Sequence, residues 1–225
     1  MQAIQLQNES IVEIATFLVR RWSEEEGMIV EISDKMETKT SLNEKKVIMA
    51  PLEKRIGNDF QKYRQFRTSL WYEAMRVKFC KKILSNDHAF GFILNTMETQ
   101  KVEQLGRKIW KGMDDEIIFN YAYMLVARPQ LNTVYGRARI VEAFYQYFMF
   151  GAIKGEIQSS HFEKIKKATE FAKKIVKKAI DEKYDSDLLE KNVNEIVKIL
   201  DIDSLLTIPV SIPYMKAGMV LSEEE

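Results

Sequence analysis

Glu73 sits where a zinc peptidase would carry its general base. The five residues Tyr72-Glu73-Ala74-Met75-Arg76 stand in the frame of H-E-x-x-H, in which two imidazoles one helical turn apart hold zinc and the glutamate between them activates water. Here the glutamate is kept and both ligand positions are filled by other chemistry. A phenol is a poor zinc ligand, and a guanidinium cannot lose its proton to become one. Two further carboxylates, Glu98 and Glu103, make up a candidate acidic site with Tyr72, Glu73 and Arg76. Carboxylates without histidine favour magnesium, calcium or manganese, which is the chemistry of a metal-dependent hydrolase. The competing reading is packing: a buried carboxylate needs a base, and Arg76 or Arg67 can reach Glu73 along a helix. We expect the latter, with no catalytic residue and no metal or other cofactor, and with Glu73 serving stability.

Other chemistries find less support in the chain. The two histidines, His88 and His161, are far apart and belong to no i, i+4 pair. No G-x-S-x-G elbow, phosphate-binding G-x-x-x-x-G-K-[ST] loop or G-x-G-x-x-G turn occurs. The single cysteine, Cys80, lies in an apolar run and reads as a buried small residue. Arg64 and Arg67 alternate with Tyr63, Phe66 and Trp71, a mixture able to grip phosphates and stack bases, so a helical nucleic-acid-binding protein is a further alternative. The formal net charge of +1 gives no global drive toward nucleic acid or anionic lipid. Arg137 and Arg139, in Tyr135-Gly-Arg-Ala-Arg139, join Arg64 and Arg67 as candidate partner-binding residues. The lysines from Lys164 to Lys183 read as the solvated side of an amphipathic helix.

These residues must be positioned by a mainly helical α+β chain. The 46% hydrophobic and 30% charged fractions are those of a globular protein with a sizeable core. Ile11, Ile14, Ala15, Leu18 and Trp22 form a helical stripe that Gly27 ends. Met28–Ser33 and Thr38–Met49 read as two strands of a short N-terminal β-hairpin, and Pro51 stops the second. A helix from Asn58 to Leu84 carries Phe60, Tyr63, Phe66, Leu70, Ala74 and Val77 on one stripe, and past Leu70 it is apolar nearly all round. Asp87 and Asp114 are expected to open two further helices, the second stopped before Pro129. The aromatic run from Gly136 to Ile153 joins the Asn58–Leu84 helix as the expected centre of the bundle, with Trp71 and Phe148 in the core. Ser160-His-Phe-Glu163 has the form of a capping box, and Asp187 opens a last helix. Residues 1–203 are expected to form a single domain and 204–225 an extended C-terminal segment. Glu9 and Glu13 interrupt any signal-peptide core, and Glu142 and Gln146 interrupt the most apolar run. A cytoplasmic protein is therefore expected, and the abundance of Lys, Glu and Ile leans toward thermophile composition.

The order of these elements resembles a known arrangement. A strand ending in Val47-Ile-Met-Ala-Pro51 leads to the helix of the H-E-x-x-H frame, and a second helix carries Met97-Glu-Thr-Gln-Lys-Val-Glu103. Over roughly residues 40–155 this resembles the helical, degenerate zincin-like region that precedes the von Willebrand A domain in proteins of the nitric oxide reductase activation protein and cobaltochelatase T subunit type. Those proteins often hold a segment L-E-D-x-R-[IV]-E; here both glutamates match, and Thr99 and Lys101 replace the Asp and Arg. The resemblance implies work with a MoxR-type AAA+ ATPase in metalloenzyme maturation or protein remodelling. No D-x-S-x-S metal-adhesion motif occurs in the chain, so the resemblance implies that the von Willebrand A domain itself has been cut away or sits on another polypeptide. The expectation is a non-catalytic interaction or adaptor module whose partners are proteins.

Overall fold

The computed structural model describes residues 8–33, 38–53, 55–81, 84–85 and 87–208. Among them are seven α-helices and one three-stranded sheet near the N-terminus, the mainly helical α+β architecture expected from sequence. None of these helices is long and apolar enough to cross a membrane.

Helix α1 (Asn8–Ser23) buries Ile11, Ala15, Val19 and Trp22, spaced for one face of a helix, against α2 (Asp59–Phe79) and against strand β1 (Ile29–Ile32). The sheet has the order β1 (Ile29–Ile32), β3 (Lys46–Met49), β2 (Lys39–Ser41). This corrects the simple hairpin. Thr38–Met49 breaks into two strands that form the hairpin, while β1 pairs in parallel with β3, Val30 opposite Val47. Val30, Val47 and Met49 point into the core, so the hydrophobic alternation is kept although the pairing differs.

The helix expected over Asn58–Leu84 is α2 (Asp59–Phe79), and it opens with the chain's capping box: Asn58 accepts from the Gln61 amide at 3.0 Å and Gln61 accepts from the Asn58 amide at 2.9 Å. The box expected at Ser160–Glu163 is not formed. Helix α6 (Ser159–Asp181) begins earlier, after Gln158, with no side-chain cap. At the last helix, α7 (Ser186–Leu200), the capping side chain is Asp185, two residues before the Asp187 expected to open it. His88 rather than Asp87 precedes α3 (Ala89–Ile109), and Asp114 is the first residue of α4 (Asp114–Ala127) rather than its cap. With Asp115 and Glu116 it places three carboxylates at the positive end of that helix.

Helix α3 joins the expected pair at the centre of the bundle. Fifteen of its 21 residues are buried, against eleven of 21 in α2. It packs against α2, α5 (Ala138–Phe150), α6 and α7. Trp71 and Phe148 are both in the core, as expected. Helices α6 and α7 close one side as a hairpin, Ile165, Ala168, Ala172 and Val176 facing Leu189, Val193, Ile196 and Leu200. Residues 204–208 then run against the start of α3, where Ala89 and Phe90 donate to the carbonyls of Leu206 and Ser204. Residues 209–225, most of the expected C-terminal segment, lie outside the described residues.

Candidate functional site

Helices α2 and α3 run antiparallel and meet closely because α3 presents Gly106 to Trp71 and Met75. A Cβ on Gly106 would stand 2.5 Å from the Trp71 ring and 2.7 Å from the Met75 sulfur. From that contact a ladder of polar side chains climbs the interface, one rung per helical turn. The Tyr72 hydroxyl donates to Glu103. One turn along, the Arg76 guanidinium donates to the Thr99 hydroxyl. At the far end the Cys80 thiol lies 3.4 Å from Glu98 Oε2. All five candidate residues, Tyr72, Glu73, Arg76, Glu98 and Glu103, are buried to within 2%.

The structure thus brings the five into one interface but not into one site. Glu73 points away from the ladder toward the sheet, where the Thr40 hydroxyl on β2 donates to its Oε2 at 2.5 Å. Its Oε1 is 4.0 Å from Arg76 Nε, the expected pairing in a loose form. Glu98 instead pairs with Lys101 at 2.7 Å, and the same ammonium donates to Ser186 on α7 at 2.6 Å. A Ser–Lys contact could in principle activate a nucleophile. Here the ammonium donates to both neighbours, and the Asp185 carboxylate occupies the nearby amides of Asp187 and Leu188 that could have served an oxyanion.

Glu103 has the most unusual surroundings. Both Tyr72 and Tyr121, the latter from α4, donate to its Oε2. Arg107 approaches Oε1 at 3.4 Å and is itself held by Asp114 at 2.8 Å. Burial pushes the Glu103 carboxyl above its ordinary range, and the two phenol hydrogen bonds and Arg107 only partly offset it. Both tyrosines are pushed well above the ordinary phenol value, first by burial and then by the neighbouring carboxylate. Burial likewise raises the Cys80 thiol to about 12, which leaves it an inert core residue.

Among the described residues no three His, Cys, Asp or Glu side chains gather as an ion would need. His88 Nδ1 faces the Leu205 carbonyl at 3.1 Å, while His161 lies in the first turn of α6. The arginines divide. Arg64 and Arg67 both grip Glu116 on α4, at 2.8 and 2.9 Å, and Arg64 lies over the Phe119 ring at 3.6 Å. Arg139 donates to the Val134 carbonyl at 2.7 Å, and Arg137 is exposed. Phe66 and Trp71, which with Tyr63 could have stacked bases, are buried.

A second buried ionic cluster links Arg128, at the end of α4, to α5. Arg128 and Glu142 pair through two parallel hydrogen bonds, Nε to Oε1 at 2.8 Å and Nη2 to Oε2, with side chains 1% and 0% exposed. Gln146 donates to Glu142 at 2.7 Å and accepts from the Lys154 amide at 2.7 Å. The signal was present: Glu142 and Gln146 interrupt the most apolar run of the chain, and an acid there requires a base.

No family model, curated protein or solved structure matches this chain.

Proposed function

We propose that this chain is a non-catalytic interaction module that works with a von Willebrand A protein and a MoxR-type AAA+ ATPase, in metalloenzyme maturation or protein remodelling. The observation that carries the non-catalytic part is the α2–α3 ladder. The two positions where zinc ligands would stand, Tyr72 and Arg76, spend their polar atoms on Glu103 and Thr99 inside a closed helix interface. A reacting centre needs room for a substrate beside its base, and Glu73 is 1% exposed under Thr40. The partners follow from the resemblance of the strand, α2 and the Met97–Glu103 segment to the region before the von Willebrand A domain.

The test is reconstitution. The purified chain is mixed with a MoxR-type ATPase and a von Willebrand A protein from one genome, and co-elution and ATP turnover are measured. A stable complex, or a changed ATPase rate, supports the reading. Independent elution with unchanged turnover contradicts it. Hydrolysis of a peptide or ester by the chain alone, lost on Glu73→Gln, would instead favour the carboxylate hydrolase.

A further inference from the structure

Two of the apolar stripes read from the sequence are wider than the fold covers. On α1, Ile14 is 51% exposed, and on α2, Phe60 is 71% exposed. They border a groove of about 290 Å³ between the two helices, floored by Ile11, Ala15, Leu18, Phe66 and Leu70. Soluble proteins seldom leave such a contiguous apolar surface without a partner. The two edges of the groove differ in charge. The α2 edge holds Arg64 and Arg67, and these two guanidinium groups share the single carboxylate of Glu116. Their pairing leaves a surplus positive charge there, and the Arg67 side chain is 49% exposed. The α1 edge is uncharged, made of Ile11, Ile14, Ala15 and Leu18.

We infer that this groove is the docking site for an amphipathic helix of a partner protein, seated with its apolar face between α1 and α2 and with a row of carboxylates along its α2 side. The groove is lined by side chains repeating at helical spacing on both helices, the form that receives apolar anchors one turn apart. The one-sided charge fixes the orientation of the guest, since its acids must meet Arg67 rather than the apolar α1 wall. The inference deepens the reading of the chain as an interaction module, but its test uses no ATPase, so either can fail alone.

The experiment titrates the full chain with two labelled synthetic peptides, followed by fluorescence anisotropy. Both are four-turn amphipathic helices with leucines on one face; one carries glutamates along one edge and the other lysines at the same positions. The glutamate peptide is expected to bind, and the lysine peptide at least about tenfold more weakly. Phe60→Asp, at an exposed position, should abolish binding while leaving the thermal unfolding curve in place. Arg67→Glu should invert the preference between the peptides. Equal binding of both peptides, or no binding of either below roughly 1 mM, overturns the proposal. A concentration-dependent dimer that Ile14→Asp splits also overturns it, and assigns the groove to a second copy of the chain.

Discussion

Tyr72 and Glu103 face each other across the closest approach of α2 and α3, and the phenol donates to the carboxylate. Their contact explains why a helix with the frame of a zinc site is stable without zinc. At the first ligand position a phenol satisfies a buried acid; at the second, the Arg76 guanidinium satisfies Thr99. The two positions act here as a helix-packing device.

Gly106 permits that approach, so Gly106→Ala should destabilise the protein. Alanine is the better helix former by about 1 kcal/mol. Against this, its Cβ would stand 2.5 Å from the Trp71 ring, and overpacking costs typically about 1–3 kcal/mol. Urea denaturation decides the sign. A stabilised variant would mean that the helices are further apart than described.

The raised carboxyl of Glu103 predicts a pH dependence. A carboxylate whose folded value lies above its unfolded value of about 4.3 contributes stability below that unfolded value and loses it as pH rises through the folded one. Glu103→Gln removes the titration. The stability of the variant relative to the wild type should therefore improve between acidic and neutral pH, measured by urea unfolding in both. A relative stability that worsens over the same interval would show the carboxylate to be net stabilised by its tyrosines.

Breaking the Arg128–Glu142 pair should be the costliest single ionic change. Glu142→Gln leaves a guanidinium at 1% exposure without its fork partner, a loss of about 3–5 kcal/mol. The double change Arg128→Met with Glu142→Leu should recover much of it, because an apolar pair of similar volume escapes the desolvation cost. If the single and double variants unfold at the same denaturant concentration, the pair is not the source of the loss.

How far the sequence carried the description depends on what each feature rests on. Helices came through because their signal is local: the stripes of α1, α2, α6 and α7 repeat at helical spacing, and Pro129 stops α4. The pairing of β1 with β3 did not, since strands of four residues match several partners equally well and the choice is made by the helices beneath. Capping was misplaced for a related reason: Ser160-His-Phe-Glu163 has the right residues, but α6 had already begun at Ser159. Tyr72, Glu73 and Arg76 were legible as a group by their spacing in one helix. Tyr121 joined Glu103 from another helix, a contact that no spacing in the chain records. Ile14 and Phe60 lie on the stripes of α1 and α2 yet stay exposed, because a stripe does not say how much of itself will be covered.

Cys80 should be protected by the fold. Its thiol is 7% exposed and is pushed up to about 12 by burial, so almost no thiolate exists at neutral pH. Reaction with Ellman's reagent should be slow in the native protein and complete on unfolding in urea. Rapid native labelling would indicate that the α2–α3 end near Glu98 opens readily.

The central claim is that the Glu73 segment serves packing, and the unfolding free energy of Glu73→Gln tests it most directly. Glutamine keeps the shape but removes the charge that accepts from Thr40 and faces Arg76 in a buried place. Urea denaturation should show a loss of at least about 2 kcal/mol. Stability unchanged from the wild type would contradict it, and would return Glu73 to the role of a base held ready for chemistry.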